Sequence, residues 1–247
     1  MAVYKSTVLI LRCQDWSETS QVIHLLAREV GRLRCLAKGS KRGQNPFSGP
    51  LDRWMLGDAV FSLGDPNRLG TLMELYETDR FEGIRRKLPA FYGASLVTEL
   101  ILTLVPDVDP QPAVFDWMVE TLRQLSDAEA KACQAITFAF AWRLLGQLGY
   151  APPPGRCVEC GTALAAGKPA DFNAASGGPV CGRCRGKGPT VRLGAKTVQA
   201  MEFLVSADWK AIGRVRLSAA TANEMRAALT ARVETLAGTG LSAAQYV

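Results

Sequence analysis

Four of the seven cysteines lie in two closely spaced pairs within residues 157–184, CVECGTALAAGKPADFNAASGGPVCGRC, in the pattern C-x2-C-x20-C-x2-C. A gap of two residues lets both thiolates of a pair face one ion. Two such pairs complete a tetrahedral shell of four sulfurs at about 2.3 Å from a zinc ion. The sequence therefore predicts one structural Zn²⁺ bound by Cys157, Cys160, Cys181 and Cys184.

A shell of four sulfurs leaves no open position for water or a substrate, so the predicted site is structural. Zinc bound in this way contributes on the order of 10 kcal/mol to folding, and the glycine-rich segment around these cysteines offers almost no apolar core. Two other interpretations stay open: inert thiols, or redox pairs, although a redox C-x-x-C usually opens a helix in a βαβ unit.

A third alternative is a deaminase-like enzyme. The stretches CVE and PVCGRC partly match the ligand-x-Glu and Pro-Cys-x-x-Cys signature of zinc deaminases, with Glu159 as the proton shuttle. However, the proline is displaced by one residue, and Cys160 would be a fourth thiolate at the position that water needs. No nucleophile elbow, P-loop or dinucleotide-binding turn is found elsewhere. The sequence predicts a protein that is not an enzyme.

A basic loop spans residues 36–51, LAKGSKRGQNPFSGPL, and follows a strand-like run, GRLRCLAK (31–38). Alternation in that run places its cations on one face, with Leu33, Cys35 and Ala37 pointing into the fold. Glycines should keep the loop mobile, and its lysines and arginines can follow a phosphate backbone without reading bases. The predicted DNA-binding residues of this region are Arg32, Arg34, Lys38, Lys41 and Arg42. A solvated strand face is the alternative.

Two aromatic residues next to these cations, Phe47 and Trp54, could stack on exposed bases or could be core anchors. A second basic cluster surrounds the cysteines, with Arg156 and Lys168 beside Arg183, Arg185 and Lys187. We predict DNA contacts for Arg183, Arg185 and Lys187, with solvated surface charge as an equal alternative.

The segments that must position these residues differ in period. The first 80 residues contain five strand-like runs at 7–13, 21–27, 31–38, 54–63 and 69–77, separated by turn-forming residues. Five short strands predict a small closed barrel, and the OB-fold is such a barrel that binds oligonucleotides. From Pro89 the period is helical, with helices expected near 89–105, 112–125, 129–148, 194–206 and 218–237.

The sequence thus predicts an α+β protein. Its five-stranded N-terminal OB-fold barrel is followed by an all-α domain with an inserted module of four cysteines and zinc. The expected domains are the barrel at 1–80, the first helical part at 81–154, the metal module at 155–190 and the second helical part at 191–247. The triple proline at 152–154 should end the helix before the module.

Charge and hydropathy limit the partners and the location. The net charge is +6 and the pI is about 9.0. Residues 1–88 carry 14 basic and 10 acidic groups, residues 89–150 carry 3 and 7, and residues 151–192 carry 6 and 2, so two basic regions flank an acidic one. This balance favours anionic partners. No apolar run reaches the roughly 18 residues of a membrane span, and no secretory signal is recognised. We expect a cytoplasmic protein associated with the nucleoid and no membrane partner.

Several stretches together resemble one family. They are VLILRCQDWSETSQVIHLLAREVGRLRCLAKGSKR, SGPLDRW, LGTLMELYE and WRLLGQLGYAPPPGRCVECG. Their order and spacing resemble those of the RecO family of bacterial recombination mediators. The resemblance runs along nearly the whole chain and is strongest over 7–77 and 142–184.

The resemblance implies an OB-fold followed by a helical domain that carries a zinc-binding module. It implies binding of single- and double-stranded DNA, annealing of complementary strands and work with RecR, so that RecA replaces the single-stranded-DNA-binding protein. It also implies that the helical domain contacts the acidic, hydrophobic tail of that binding protein. Some members lack the cysteines, whereas all four positions are filled here. An RNA-binding protein built from an OB-fold and a zinc ribbon is the alternative function.

Overall fold

The computed structural model describes residues 2–47, 49–64, 69–150, 155–165, 168–185 and 188–247. The chain forms two compact units. The first consists of Met1–Glu82 and Val105–Arg123, and the second of Gly83–Leu104 and Gln124–Val247. The triple proline and Lys187, which the sequence analysis singled out, lie outside the described residues.

The first unit is built on a closed five-stranded barrel, as predicted, with the strand order β1-β2-β3-β5-β4. The strands are β1 (Ala2–Asp15), β2 (Gln21–Ala27), β3 (Gly31–Ala37), β4 (Leu56–Leu63) and β5 (Gly70–Asp79). Buried and exposed residues alternate along β3, and Leu33, Cys35 and Ala37 join the barrel core as the period of two requires. The intervening cations therefore point outward.

Register brings one end of three strands together. Antiparallel pairing of β1 with β2 sets Asp15 opposite Gln21, and pairing of β2 with β3 sets Gln21 opposite Ala37. The basic loop leaves β3 at this point, so it starts beside the connection from β1 to β2, residues 16–20. We call this end of the barrel the loop corner. It holds a short loop and the long basic loop side by side.

The segment 105–123 belongs to the barrel unit, although its helical period placed it in the helical domain. Its first residues follow the edge of β3 and form a parallel bridge between Asp107 and Arg32. The Val108 N–H donates to the Arg32 carbonyl at 2.8 Å. Gly31 has φ +90°, and a Cβ there would lie 2.4 Å from the Asp109 carbonyl oxygen, so only glycine allows this approach. Sequence period indicates a helix but does not indicate what it packs on.

Most helices begin and end within a few residues of their predicted positions. They are α1 (Glu82–Arg85), α2 (Leu88–Leu104), α3 (Pro112–Asp127), α4 (Cys133–Gln147), α5 (Ala195–Ser206), α6 (Trp209–Ile212) and α7 (Ala219–Ala237). Helix α4 is buried along most of its length, including Phe138 and Leu145. Ser218 caps α7 by accepting from the Thr221 N–H, and Gly238 ends it in the left-handed conformation. The one-turn helices α1 and α6 were not predicted.

The metal module contains a small antiparallel sheet that the sequence did not reveal, and the sheet extends the module from its predicted end at residue 190 to residue 193. Its strands are β6 (Ala170–Asn173), β7 (Gly178–Val180) and β8 (Thr190–Leu193), in the order β7-β6-β8. All four residues of β6 are buried. Strands of three or four residues in a glycine-rich segment are too short to show a period. The module thus has a small core of its own, in contrast to the expectation of almost none.

Candidate metal centre and nucleic-acid interface

The four predicted ligands come together. The Sγ atoms of Cys157, Cys160, Cys181 and Cys184 all lie within 4.8 Å of one another. Cys160 Sγ is 3.7 Å from Cys181 Sγ. A tetrahedron with zinc–sulfur bonds of 2.3 Å has sulfurs about 3.8 Å apart, so the cluster has the size that zinc requires.

Local backbone structure aims these sulfurs inward. Cys157 N–H donates to the Thr162 carbonyl at 2.9 Å, and Gly161 N–H donates to the Cys157 carbonyl at 2.8 Å. Gly161 has φ +70°, which closes this turn and favours glycine. The second turn places the Cys184 N–H 3.0 Å from the Cys181 carbonyl. Backbone hydrogen bonds therefore define both turns without a contribution from an ion.

The electrostatics of the cluster fit a cation. The Thr162 hydroxyl lies 3.3 Å from Cys160 Sγ, and this hydrogen bond lowers the pKa of that thiol to about 6. Burial, followed by the neighbouring cysteine sulfurs, raises the pKa of Cys184 to about 12. Four thiolates so close together repel one another unless a positive ion lies between them. The residues present therefore fit Zn²⁺, which would act as a structural ion.

The deaminase-like alternative does not match this geometry. Cys160 lies inside the cluster as a fourth sulfur, at the place that a catalytic water would need. Glu159 instead accepts a hydrogen bond from the Ser176 hydroxyl. A shell of four thiolates is closed, so the arrangement supports a structural rather than a catalytic centre.

The metal module is anchored within the second unit by two contacts that the sequence analysis missed. Phe172 on β6 packs edge-to-face on Trp142 of α4, with ring centroids 5.5 Å apart. Arg232 of α7 is buried and donates to the carbonyls of Tyr150 and Ala174. Because Arg232 is buried and its hydrogen bonds are made to carbonyl oxygens, it fixes the backbone at Tyr150 and Ala174. The sequence shows only an arginine in a helix, so this role becomes visible from the burial of its side chain.

Of the predicted cations near the four cysteines, Arg185 forms an ion pair within the module, whereas Arg183 forms none with a described carboxylate. Arg185 Nε and Arg192 Nη1 both donate to Asp171 Oδ2, at 2.6 and 3.0 Å. Asp171 is nearly buried on β6, and the hydrogen bond from Arg185, above all, keeps the pKa of its carboxyl below the usual 3.8. Arg183 is exposed, with a long contact of 3.4 Å to the Thr162 hydroxyl. Lys187 is not among the described residues, so its predicted role stays a prediction.

On the barrel, two of the five predicted cations are paired with acids. Arg32 Nε lies 2.8 Å from Asp107 Oδ1, and the arginine side chain is 19% exposed. Lys41 Nζ lies 2.7 Å from Asp15 Oδ2. Both acids are distant in sequence from their partners, so inspection of the neighbouring residues does not find them.

The other three barrel cations are exposed, and the register adds a fourth. Arg34, Lys38 and Arg42 are exposed, and no carboxylate in the described part of the chain pairs with them. Arg12 is also exposed and unpaired among the described residues, and it lies on β1 opposite His24, which lies opposite Arg34. We call Arg12, Arg34, Lys38 and Arg42 the cationic strip.

His24 lies between two arginines of the cationic strip. Its Nε2 is 3.2 Å from Gln14 Oε1. Burial, followed by repulsion from Arg12, Arg34 and Arg32, lowers its pKa below 6.5. The imidazole is therefore neutral at pH 7. The arginines that disfavour its protonation lie on both neighbouring strands, Arg12 on β1 and Arg32 and Arg34 on β3.

Residues 39–45 of the basic loop form hydrogen-bonded turns, although the glycines of the loop suggested an open segment. Arg42 N–H donates to the Gly39 carbonyl at 3.0 Å, and the Asn45 side chain donates to the Arg42 carbonyl at 2.9 Å. Phe47 and Trp54 are each 1% exposed. Burial excludes base stacking on their faces in this conformation, so the core-anchor alternative is correct for both.

A cavity of about 530 Å³ lies in the second unit, between the metal module and α5. Apolar side chains that include Leu164, Val198 and Met201 line it, and Lys168 stands at its wall. Asp171 and Arg192, which form the ion pair described above, also contribute to the lining. In all, the lining holds three cations, Lys168, Arg185 and Arg192, and two acids, Asp171 and Glu202. An apolar cavity with this small positive excess suits a ligand that is mainly apolar and weakly acidic.

No helix among the described residues is long and apolar enough to cross a membrane.

Comparisons with known proteins agree along the chain. A family model described as "Recombination protein O N terminal" matches residues 1–78, and one described as "Recombination protein O C terminal" matches residues 85–242. Three curated relatives share the name "DNA repair protein RecO". The protein of Rhodopirellula baltica is 31% identical over 84% of this chain and 72% of its own length. The protein of Anaeromyxobacter dehalogenans is 30% identical over 98% of this chain and 95% of its own length. The protein of Bacillus subtilis is 27% identical over 97% of this chain and 91% of its own length.

Proposed function

The chain belongs to the recombination protein O family of DNA repair proteins, and from this membership we propose that it is a non-catalytic recombination mediator. In this proposal it binds single- and double-stranded DNA without sequence specificity and anneals complementary strands. With RecR it helps RecA replace the single-stranded-DNA-binding protein. It works in the cytoplasm on nucleoid DNA, with one structural Zn²⁺ in the metal module.

The observation that carries the proposal is the cationic strip. Its four side chains follow β1, β3 and the start of the basic loop, and no described carboxylate neutralises them. Flexible cations on a sheet face suit phosphates of any sequence. Screening two phosphate backbones at once lowers their mutual repulsion, which favours annealing.

The salt dependence of binding tests this directly. Four phosphate contacts on a single strand give a log–log slope of about −3 for affinity against salt concentration. The affinity of a fluorescent oligonucleotide should be measured by anisotropy from about 50 to about 300 mM NaCl, over which the Debye length falls from roughly 14 Å to roughly 6 Å. A slope near zero would contradict a phosphate-based interface.

Annealing with partners tests the mediator role. Complementary oligonucleotides coated with single-stranded-DNA-binding protein should pair faster when this protein and RecR are added together. The matched control is the variant in which Arg34, Lys38 and Arg42 are replaced by alanine. If wild type and variant anneal equally fast, the cationic strip does not carry the activity.

The cavity beside the metal module is the place we propose for the tail of the single-stranded-DNA-binding protein. Its apolar lining and Lys168 complement an acidic, apolar peptide. A labelled tail peptide should bind the wild type, and Lys168→Glu together with Met201→Asp should weaken that binding while leaving oligonucleotide affinity unchanged. Equal peptide binding by the variant would remove the cavity from the proposal.

The alternative, an RNA-binding protein, shares the same single-strand chemistry. The family names concern DNA repair, which favours DNA. Competition between DNA and RNA oligomers of one sequence decides between the two. A clear preference for RNA would favour the alternative.

A further inference from the structure

One large aromatic side chain at the loop corner is exposed. Trp16 follows β1 directly and has 65% of its surface accessible, the largest value among the exposed aromatic residues of the described chain. The other four tryptophans differ: Trp54 and Trp142 are buried, and Trp117 and Trp209 are partly covered. An indole with most of its surface in water is free to stack on a flat ligand, and its large apolar face gives such a contact energy.

The loop that carries Trp16 is held in one shape. The backbone N–H of Trp16 donates to the Ser20 carbonyl at 3.0 Å, and the backbone N–H of Ser17 donates to the same oxygen at 3.2 Å. The exposure of Trp16 therefore belongs to a closed turn rather than to an unfolded segment. A rigid aromatic side chain binds a ligand with little loss of conformational entropy.

The Trp16 loop is also tied to the basic loop. Lys41 N–H donates to the Thr19 carbonyl at 3.1 Å, and Gly39 N–H donates to the Ser20 hydroxyl at 3.2 Å. Asp15, next to Trp16, binds the Lys41 ammonium group at 2.7 Å. These bonds hold the loop that carries Trp16 beside the stretch that carries Lys38 and Arg42.

An exposed indole beside phosphate-binding cations has the two components of a single-strand binding site. Cations contact the sugar–phosphate chain, and an aromatic face stacks on a base that has left its duplex. The connection between the first two strands is one of the loops with which OB-folds bind oligonucleotides. Two exposed acids oppose a nucleic acid here: Glu18 in this loop, and Asp15, whose charge is partly offset by Lys41.

We propose that Trp16 is a base-stacking residue, and that it gives the loop corner its preference for single-stranded over double-stranded nucleic acid. This inference rests on the proposed function, because it uses the cationic strip to hold the backbone of the strand. The ligand class is an unpaired nucleotide base within a single strand. Phe47 and Trp54, the aromatics that the sequence suggested for this task, are buried and cannot serve it.

Intrinsic fluorescence of the full-length protein tests the contact, with an oligothymidylate as the probe because its bases pair poorly. Since Trp16 is the most exposed tryptophan, the oligomer should quench wild-type fluorescence. The Trp16→Phe protein should bind with similar affinity but lose most of this quenching. Quenching that is the same in wild type and Trp16→Phe would overturn the proposal.

Affinity gives the second measurement. Trp16→Ala should bind the oligomer about fivefold to a hundredfold more weakly, the effect of losing one stacked base. Its salt slope should stay unchanged because no charge is removed, and duplex affinity should change much less. The matched control is Tyr76→Ala: Tyr76 is 59% exposed on β5 but lies opposite Asp58 and donates to Glu74.

The outcomes separate the two proposals. If wild type binds the oligomer in a salt-dependent way and Trp16→Ala binds equally well, Trp16 is not a stacking residue and the proposed function stands. If Trp16→Ala weakens duplex and single-strand binding equally, the stated preference is wrong. If wild type binds no nucleic acid at low salt, the proposed function fails and this inference fails with it.

Discussion

The barrel and the metal module both carry clusters of cations, but they differ in where the neutralising acids lie. In the module, Arg185 and Arg192 share the nearly buried carboxylate of Asp171. On the barrel, the four residues of the cationic strip have no described carboxylate partner. The same residue types therefore stabilise a small sheet in one region and remain available to a ligand in the other.

The comparison shows that a count of cations along a sequence does not identify a binding surface. Eight cations were predicted to contact DNA, and the structure leaves four of them exposed and unpaired among the described residues: Arg34, Lys38, Arg42 and Arg183. It pairs Arg32, Lys41 and Arg185 with carboxylates. The discriminating quantity is the charge that remains after ion pairing.

The largest effect is expected at the four cysteines that would hold the proposed Zn²⁺. Cys181→Ser should release zinc and lower the free energy of unfolding by about 4 kcal/mol or more, because loss of a structural metal is among the most destabilising changes. Zinc content by mass spectrometry and the melting temperature measure this. DNA binding by the barrel should persist.

The matched control is Cys35→Ala, which removes a thiol from the barrel core. It should retain one zinc per chain and lose only about 1 kcal/mol of stability from the missing side-chain volume. Unchanged zinc content and melting temperature in Cys181→Ser would refute the assignment of four sulfur ligands.

The next effect separates the two cation clusters. Replacement of Arg34, Lys38 and Arg42 by alanine should weaken single-strand binding by about tenfold or more and reduce the magnitude of the salt slope by about 2. The folded protein should be unchanged, because these side chains are exposed. Binding isotherms at four salt concentrations give both quantities.

Arg183→Ala provides the comparison in the module. It removes one exposed cation, so the slope should change by less than 1. If this variant loses as much affinity as the triple barrel variant, the metal module is the main interface and the barrel is not.

Asp171 tests the structural role of the module's cations. Asp171→Asn should lower stability near neutral pH by about 2 kcal/mol, since two charged hydrogen bonds to a nearly buried carboxylate are lost. The folded-state pKa of Asp171 lies below its usual 3.8. Its contribution is therefore complete above that pH and is lost only as the pH falls below it. The stability difference between wild type and variant should stay constant from pH 5 to 8, measured by urea unfolding.

Asp15 tests the opposite role on the barrel. Asp15→Asn should free Lys41 for a phosphate and strengthen single-strand binding by about twofold to threefold, the size expected of an exposed pair. Asp58→Asn is the matched control, because Asp58 is an exposed acid on β4 that binds the Thr7 hydroxyl instead of a cation. Equal gains in both variants would indicate a general effect of net charge.

Sequence patterns were sufficient for the strands of the barrel and for most helices, because period, glycine and proline act locally. The cysteine spacing identified the four residues that come together as a possible metal site for the same reason, since each pair lies within one turn. The strands β6–β8 were missed because they are too short to show alternation. The buried state of Phe47 and Trp54 could not be decided either, because a residue in a loop has no period that reveals its environment.

Ion pairs between residues distant in sequence could not be predicted, for a different reason. Asp107 reaches Arg32 only because the segment 105–123 packs on the barrel, and Asp15 reaches Lys41 only because β1, β2 and β3 end together. Arg12 stands apart from the other cations in sequence and joins the cationic strip through strand register alone. Pairing across strands requires a known register, which a single sequence does not supply.

The smallest expected effect concerns the histidine within the cationic strip. Burial and the arginines Arg12, Arg34 and Arg32 hold the pKa of His24 below 6.5. On the neighbouring elements, Asp107 is the acid that acts in the opposite direction, and Gln14 contacts the ring. A bound phosphate offsets the repulsion from the arginines and so raises the pKa of His24 in the complex.

A group whose pKa rises on binding takes up a proton, so the complex should tighten as the pH falls from 7 toward 5.5. We expect a gain of at most about twofold, since a bound phosphate offsets the repulsion from the arginines but not the burial, which is the larger cause of the low pKa. His24→Gln should bind equally well at both pH values, and the imidazole resonances of the wild type should report the two pKa values directly by NMR. If the pKa of His24 is the same with and without DNA, the nucleic acid does not lie across Arg12 and Arg34, and the interface is confined to the loop corner.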